Sequence, residues 1–249
     1  MPMIGLGLGL ALHKGGGVSP VTILGAALLG WWTADRPALI TQSGGLVSSW
    51  KDVVAGYDVT EATNKPTYSA TAFAGQPGIA FDGVGTLLTL GSVPFPTGSD
   101  ESQIFAVVQQ DALAADASAR VIVSYGGSAG ANRRDLRRNV VSAVNRGSIF
   151  YGQPGGTATA NNSGVDLSSR HVLRGVFGAS SRIDVDGVAG TSGLAVANTG
   201  TTRVRFGATT GDTPASPWQG VARDILVTGP LTAEQETQLL AWLLSRRLV

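Results

Sequence analysis

The chain of 249 residues contains no cysteine and only two histidines. The absence of cysteine excludes a disulfide framework, a thiolate metal site and a cysteine nucleophile. A zinc site is disfavoured as well, because His13 and His171 lie far apart in the sequence and no cysteine can complete their coordination. We therefore expect neither a metal ion nor another cofactor.

Charged residues make up only 14% of the chain, and the net charge is +1. Binding to nucleic acid or to an anionic membrane surface requires a concentrated basic excess. The apolar run at residues 21–32 is too short to span a bilayer, and the apolar residues 4–12 lack the basic start of a signal peptide. We therefore expect no nucleic-acid partner, no membrane insertion and no targeting segment.

Glutamate is scarce too, with four in the chain and no E-x-D-x-x-E run. Retaining glycosidases place two carboxyl groups about 5 Å apart, and Asp184 and Asp186 are the nearest approach to such a pair. Turn chemistry explains their position more simply. Asp82 and Asp212 show no spacing typical of a calcium loop, so neither glycan cleavage nor a calcium site is expected.

Residues 126–130 read Gly-Gly-Ser-Ala-Gly and match the G-x-S-x-G motif of hydrolases, with Asp166 and His171 downstream. In hydrolases this motif joins a strand to a helix within an alternating α/β chain. No helical pattern alternates with strand patterns here. We therefore predict that Ser128 is not a nucleophile and that the protein is not an enzyme.

Glycine is abundant, at 35 residues, and short segments rich in β-branched and aromatic residues lie between turn residues. The predicted strands are residues 102–108, 120–125, 139–144, 147–151, 171–177 and 201–206. Residues 181–188 predict a hairpin in which Asp186-Gly187 supplies the positive-φ turn. The pattern predicts an all-β fold, an antiparallel β-sandwich of jelly-roll type.

One helix is predicted near the C-terminus, at residues 232–247. Thr232 and Gln235 have the spacing of a capping box, and Glu234 and Glu236 place negative charge near the helix N-terminus. The apolar side of this helix is supplied by Leu239, Leu240, Trp242 and Leu243.

Residues 1–22 are predicted to form a separate N-terminal arm. Residues 4–10 alternate apolar side chains with glycine, and a flexible joint, Gly15-Gly16-Gly17, follows. Such a strand buries little by itself, so we expect it to pair with another copy or with a neighbouring protein, a frayed terminus being the alternative. The predicted docking or oligomerisation residues are Ile4, Leu6, Leu8 and Leu10, and residues 23–249 are the predicted sandwich domain.

Five stretches resemble one family: residues 29–35 (Leu-Gly-Trp-Trp-Thr-Ala-Asp), 49–52 (Ser-Trp-Lys-Asp), 65–71, 81–83 (Phe-Asp-Gly) and 218–227. Together they resemble the concanavalin A-like, laminin-G-like jelly-roll modules of bacteriophage virion proteins. The resemblance implies a non-enzymatic virion component, such as a head or tail fibre, a spike or a capsid decoration. Such a protein is assembled in the bacterial cytoplasm and contacts other virion proteins.

Two groups of residues are candidates for contacts with a partner. Arg133, Arg134, Arg137 and Arg138 form a dense basic cluster that can hold an acidic polysaccharide or an acidic protein patch, a solvated strand edge being the alternative. Tyr57, Tyr125, Tyr151 and Trp218 are candidate sugar platforms, because an aromatic ring packs on a pyranose face. The remaining tryptophans, Trp31, Trp32, Trp50 and Trp242, are predicted to lie in the core.

These observations lead to one hypothesis with two alternatives. The protein is expected to be a homo-oligomeric virion protein that is anchored by its arm and displays a lectin-like sandwich to host surface polysaccharide. Glycan binding follows from fold analogy alone. The alternatives are a free carbohydrate-binding lectin module and a glycan or ester hydrolase.

Overall fold

The computed structural model describes residues 18–248, apart from residues 93, 111–118, 142–143, 154–155, 163–164, 166, 168 and 193–197. The predicted docking residues Ile4, Leu6, Leu8 and Leu10 therefore lie outside the described residues. Strands dominate the described ranges, and every pair of named strands there is antiparallel. The predicted antiparallel β-sandwich with a C-terminal helix is confirmed.

The strands form two facing sheets that we call the front and back sheets. In spatial order the front sheet contains Ile40–Ser43 (β2), Leu46–Lys51 (β3), Asp58–Thr60 (β4), Leu88–Leu90 (β7), Arg203–Phe206 (β16), Arg120–Gly126 (β9), Arg133–Val141 (β10), Val144–Gln153 (β11) and Gly156–Asn161 (β12). The back sheet contains Thr67–Phe73 (β5), Gln76–Asp82 (β6), Gln219–Thr228 (β17), Ser102–Gln110 (β8), Arg170–Phe177 (β13), Arg182–Val185 (β14) and Val188–Ser192 (β15), with Leu28–Thr33 (β1) paired to the second half of β17. Between the described strands of the two sheets, Leu46 and Thr67 form a ladder pair along one edge.

The main core lies between the two sheets, and strict alternation along the strands fills it. In β1, Trp32 points into this core while Trp31 points to the opposite side of the back sheet. The same alternation separates Ile104 from Phe105 in β8. Because successive side chains of a strand point to opposite faces, the back sheet has two apolar faces and the front sheet has one.

Two helices cover the outer face of the back sheet. They are Pro20–Leu24 (α1) and Ala233–Leu248 (α2), and Leu24, Leu239 and Leu243 pack there against Trp31 and Phe105. The predicted capping box begins α2: the Gln235 N–H donates to the Thr232 hydroxyl (3.2 Å), and the Thr232 N–H donates to the Gln235 side chain (3.0 Å). Within the described ranges, neither α1 nor α2 has the length and hydropathy of a membrane-spanning helix.

Two-residue turns set the register of three hairpins. Gly44-Gly45 joins β2 to β3, Ala74-Gly75 joins β5 to β6, and the predicted Asp186-Gly187 turn joins β14 to β15, all with positive φ at both residues. Such turns match the right-handed twist of the strands that they connect. The predicted hairpin at residues 181–188 is therefore confirmed.

Two predicted boundaries are wrong. The boundary between arm and sandwich at residues 22 and 23 falls inside α1, where the Ser19 hydroxyl accepts the Thr22 N–H and Pro20 is buried. The predicted strand at residues 139–144 is divided between β10 and β11, since Val141 pairs with Val144 across an antiparallel ladder. No glycine, proline, asparagine or aspartate at residues 140–144 signals that reversal.

Candidate functional site

The outer face of the front sheet is polar. Neither α1 nor α2 packs on it, and the 3₁₀ turn Gly130–Asn132 lies against β11 and β12. In its nine strands the inward side chains belong to the main core, and the alternate side chains point outward. The outward-facing set includes Ser49, Lys51, Thr60, Thr89, Arg203, Arg205, Ser124, Arg133, Asp135, Arg137, Arg146, Ser148, Phe150, Thr157 and Thr159. In this set Phe150 is the aromatic side chain.

The loop between β16 and β17, residues 207–218, lies over the middle of this face. Arg205 donates to the Thr209 and Gly211 carbonyls (2.5 and 2.9 Å), and the Thr210 hydroxyl donates to the Gly127 carbonyl (2.7 Å). Ser124, below the loop, accepts the Thr210 N–H at 3.2 Å. The loop therefore divides the face, with β10, β11 and β12 on one side of it. On that side Ala131 lies against Gly152 and Gly130 lies close to Phe150, while Thr157 and Thr159 stay exposed.

On that side, two arginine side chains contact the ring of one phenylalanine, Phe150. The guanidinium carbons of Arg133 and Arg137 lie 4.9 and 4.8 Å from the centre of the Phe150 ring. The Cα atoms of Arg133 and Arg137 are about 13 Å apart along β10. Asp135, directly opposite Phe150 in the ladder, lies between them. The two guanidinium groups therefore approach the ring from opposite directions along the strand, each in a cation–π contact.

Asp135 fixes the position of Arg133 from below. Its carboxylate has no exposed surface and accepts hydrogen bonds from Arg133 Nε (3.1 Å) and from the Ser124 hydroxyl (2.6 Å). Burial raises the pKa of Asp135, although the charges of Arg133 and Arg137 and the Ser124 bond act in the opposite direction. The carboxylate is thus enclosed, and the cationic groups lie between it and solvent.

Arg137 is partly withdrawn from water. Its Nη2 donates to the Thr159 hydroxyl on β12 (3.0 Å), while its Nε is buried without an acceptor among the described residues. Burial lowers the pKa of Arg137, and the charge of Arg133 lowers it further, against the attraction of Asp135. We call Arg133, Arg137, Arg146, Phe150, Thr157 and Thr159 the front surface.

The structure separates the predicted arginine cluster into two pairs. Arg133 and Arg137 belong to the front surface, as alternation along β10 requires. Arg134 and Arg138 point into the sandwich and are 0% and 1% exposed. The prediction of a four-arginine interaction patch is therefore wrong for Arg134 and Arg138, because the strand turns alternate residues to opposite faces.

Three of the four candidate sugar platforms are core residues. Tyr125, Tyr151 and Trp218 have no exposed surface, so the prediction that they contact a glycan is wrong. Tyr57 is partly exposed and packs edge-to-face on Phe95. Among the predicted core tryptophans, Trp31, Trp32 and Trp50 are buried as expected, and Trp242 packs at the edge of Trp31 with part of its surface exposed.

The hydrolase motif does not form the arrangement that a nucleophile elbow requires. Ser128 follows β9 of the front sheet and leads into a single 3₁₀ turn, Gly130–Asn132, whereas His171 lies on β13 of the back sheet. His171 Nδ1 lies 2.7 Å from an Asp186 carboxylate oxygen, and Arg247 also pairs with Asp186. Asp166 lies outside the described residues.

Beside His171 there is a pocket of about 240 Å³. It is lined by Ser169, Arg170, His171, Arg247 and Leu248. Asp186, in the turn between β14 and β15, pairs with both His171 and Arg247. The pocket therefore lies where the C-terminal end of α2 contacts the β14–β15 hairpin.

The other predicted carboxylates are bound within the protein. Asp82 accepts the backbone N–H groups of Val84, Gly85 and Thr86; burial alone raises its pKa, but these bonds outweigh burial and lower the pKa of Asp82 to about 2. Asp184 pairs with Arg174 and Arg182, and Asp212 pairs with Arg203. In the part of the chain that the structure describes, no group of three or more metal-binding side chains is present.

Sequence reasoning missed Phe150, Arg146 and Thr159. Phe150 lies between two core residues, Ile149 and Tyr151, and an aromatic residue in a strand is expected to be buried. The signal that was available is alternation: once Ile149 and Tyr151 face inward, Phe150 must face outward.

Comparison with protein families and with curated proteins finds no match. Solved structures match the fold. Trypanosoma rangeli sialidase has a TM-score of 0.61 at 15% identity, with 90% of this chain and 33% of that chain covered. Domain 4 of AbnA, an extracellular arabinanase from Geobacillus stearothermophilus, in complex with arabinotriose, has a TM-score of 0.56 at 12% identity, with 87% and 98% covered. The receptor binding domain of botulinum neurotoxin type G has a TM-score of 0.56 at 9% identity, with 88% and 51% covered.

At these identities the likeness shows a shared β-sandwich fold. The chain spans about a third of the length of the sialidase and nearly the whole of the arabinanase domain. The matched region is thus one part of the sialidase chain and one domain of the arabinanase AbnA.

Proposed function

We propose that the protein is a non-enzymatic, lectin-like module that binds glycans on its front surface. The observation that carries the proposal is the exposed part of the outer face of β10, β11 and β12, beside the 3₁₀ turn Gly130–Asn132, where two arginines, one phenylalanine and exposed threonines lie together. Arginine and threonine supply hydrogen-bond donors, and threonine also supplies acceptors, for sugar hydroxyl groups. The opposite side of the sandwich is occupied by α1 and α2.

The comparisons support this reading by fold. Three proteins of similar fold are a sialidase, an arabinanase domain in complex with arabinotriose, and a toxin receptor binding domain. Because one fold serves many functions, the assignment to this chain depends on the front surface itself. We also propose that the sandwich is a concanavalin A-like module.

Binding of the full chain to a panel of immobilised oligosaccharides tests the glycan proposal. We expect saturable binding, which Thr159→Trp lowers at least tenfold because the indole covers the front surface without removing a charge. Thr60→Trp is the matched control, since Thr60 is an exposed threonine of the same sheet beyond the loop, and it should bind like the unchanged chain. Folded protein that binds no oligosaccharide, or a Thr159→Trp variant that binds normally, contradicts the proposal.

We further propose that the module is a bacteriophage virion component, a fibre, spike or capsid decoration that is anchored through residues 1–17. Its partners are other virion proteins and further copies of itself, with host surface polysaccharide as the ligand. The sequence resemblance and the alternating apolar arm support this proposal. Weak glycan contacts then gain strength from many copies on one particle.

Deletion of residues 1–17 tests the anchor. The shortened chain begins at residue 18 so that Ser19 still caps α1 and Leu24 still packs on the outer face of the back sheet. We expect it to stay folded by circular dichroism and to form assemblies with fewer copies by light scattering. We also expect it to lose co-sedimentation with particles that lack the protein. The substitutions Leu6→Asp and Leu8→Asp in the full chain should have the same effect. If the full and shortened chains form assemblies with the same number of copies and sediment alike with particles, the anchor proposal fails.

A further inference from the structure

The exposed charges of the front surface have one sign. Arg133, Arg137 and Arg146 are the cationic side chains on the outer side of β10 and β11, and the carboxylate beside them, Asp135, is fully buried. On the described part of β12 the outward side chains are Thr157, Thr159 and Asn161, which are neutral. A ligand on these three strands therefore meets positive charge from the sheet.

The Phe150 ring is not available as a simple stacking platform. Two guanidinium groups already lie within 5 Å of its centre, from opposite directions along β10. Neutral sugars are commonly held by stacking on an open aromatic face. Here the ring instead holds the two guanidinium groups in place, which makes them donors of fixed position.

The two guanidinium groups retain donors for a ligand. Among the described residues Arg133 uses Nε for Asp135, and Arg137 uses Nη2 for Thr159, so the two Nη groups of Arg133 and Nη1 of Arg137 are left for a ligand. Arg137 Nε is buried and does not take part. A planar guanidinium matches a carboxylate with two parallel hydrogen bonds. Because Arg137 is partly desolvated, its attraction to an anion is screened less than that of a fully hydrated arginine.

The size of the surface favours a sugar over a protein. Neighbouring strands are about 4.8 Å apart, so β10 to β12 extend over roughly 10 Å, with the 207–218 loop at one border. A stable protein interface needs about 800 Å² on each partner. A strip of this width suits a few sugar rings.

We propose that the front surface binds glycans through the carboxylate of an acidic sugar, a uronic or sialic acid residue. Arg133 and Arg137 receive the carboxylate, and Thr157 and Thr159 contact neighbouring hydroxyl groups. This inference rests on the proposed glycan-binding function and adds the class of sugar to it.

The test compares each acidic glycan with its carboxyl-reduced form, in which the carboxylate is replaced by a CH₂OH group. The probes are oligogalacturonate, an alginate oligosaccharide and a sialylated trisaccharide, titrated by calorimetry into the full chain. We expect at least one acidic form to bind tenfold or more tightly than its reduced form, with an affinity that falls as salt rises.

Four variants show which residues hold the acidic glycan. Arg137→Lys keeps the charge but loses the planar fork, and we expect it to lower acidic-glycan affinity about tenfold; Arg146→Gln should lower it less. Lys51→Gln removes a charge from the same face beyond the loop and should change nothing. Arg133→Gln is judged only after its thermal unfolding is measured, because it leaves Asp135 buried without that partner.

The outcomes separate this inference from the proposed function. If neutral or carboxyl-reduced glycans bind as tightly as acidic ones, or if Arg137→Lys has no effect, the acidic-sugar inference is overturned while glycan binding stands. If polyglutamate displaces the acidic glycan at equal charge concentration, the surface recognises acidic protein and the inference is overturned as well. If no glycan of either kind binds, the proposed function fails together with it.

Discussion

At the scale of single residues, Arg134 is the most unusual group in the sandwich. It has no exposed surface and donates to the Gly98 and Asp100 carbonyls (3.1 and 2.7 Å) and to the hydroxyl of Tyr125 (3.0 Å). Its guanidinium also lies 5.7 Å from the Phe177 ring. A buried cation is stable only when such contacts replace water, so Arg134 fastens the loop before β8 to the end of the sandwich.

We therefore expect Arg134→Met to lower the free energy of unfolding by about 3 kcal/mol, because hydrogen bonds to a charged group are lost and buried acceptors are left without donors. Urea unfolding followed by tryptophan fluorescence measures the change. Arg170→Met is the control, since Arg170 is partly exposed and a surface substitution changes stability by about 0.5 kcal/mol or less. Equal stability of the two variants would show that the carbonyl contacts of Arg134 contribute nothing.

At the scale of elements, an ion-pair network joins the end of α2 to β1 and β17. Arg246 pairs with Asp35 and Asp224, Arg223 pairs with Asp35, and Trp31 Nε1 donates to Asp224 at 3.1 Å. Burial alone raises the pKa of Asp35, but the hydrogen bonds from Arg246 and Arg223 outweigh it and hold this pKa below its ordinary value. The network thus couples the docking of α2 to the ionisation of one carboxylate.

The sign of the resulting pH dependence follows from that lowered pKa. Asp35 stabilises the fold fully above its unfolded pKa of about 4 and loses this contribution as pH falls through the lower, folded value. We expect Asp35→Asn to cost about 0.5–1 kcal/mol at pH 7, since the side chain is partly exposed, and the difference from the unchanged chain to shrink below pH 4.

Urea unfolding at pH 7 and at pH 3 checks this expectation. Asp212→Asn is the matched control, because the Asp212 side chain is 79% exposed and its pair with Arg203 should contribute little at either pH. A cost of Asp35→Asn that is the same at pH 3 and pH 7 would rule out the ionised pair as its cause.

At the scale of the whole molecule, alternation along the sequence predicted the sandwich. It did not predict to which side of the sheet each arginine side chain points. A strand with Arg133, Arg134, Arg137 and Arg138 reads as a solvated edge, because buried arginine is rare. The carbonyl groups that receive Arg134 come from a loop some 35 residues earlier in the chain, and no local pattern reveals that contact. Two of the three arginines of the front surface, Arg133 and Arg137, were therefore predicted, whereas Arg146 and Phe150 were missed.

The helical layer, formed by α1 and α2 on the outer face of the back sheet, was predictable only in part, for a similar reason. The capping box placed the start of α2, and its apolar side predicted burial. That β1 and β8 offer an apolar outer face to this helix depends on which strands are neighbours in the back sheet. Strand order comes from contacts between residues more than a hundred positions apart, such as Phe105 and Leu226, which periodicity does not report.

The helical layer also determines how the module meets whatever is attached to it. Both α1 and α2 lie behind the back sheet and touch each other, with Gln235 donating to the Leu24 carbonyl. Polypeptide that leads into α1 or follows α2 therefore joins the molecule on that side. Copies tethered to a support through either end would turn their arginine-bearing strands away from it, toward the medium, and so share one orientation without any contact between them.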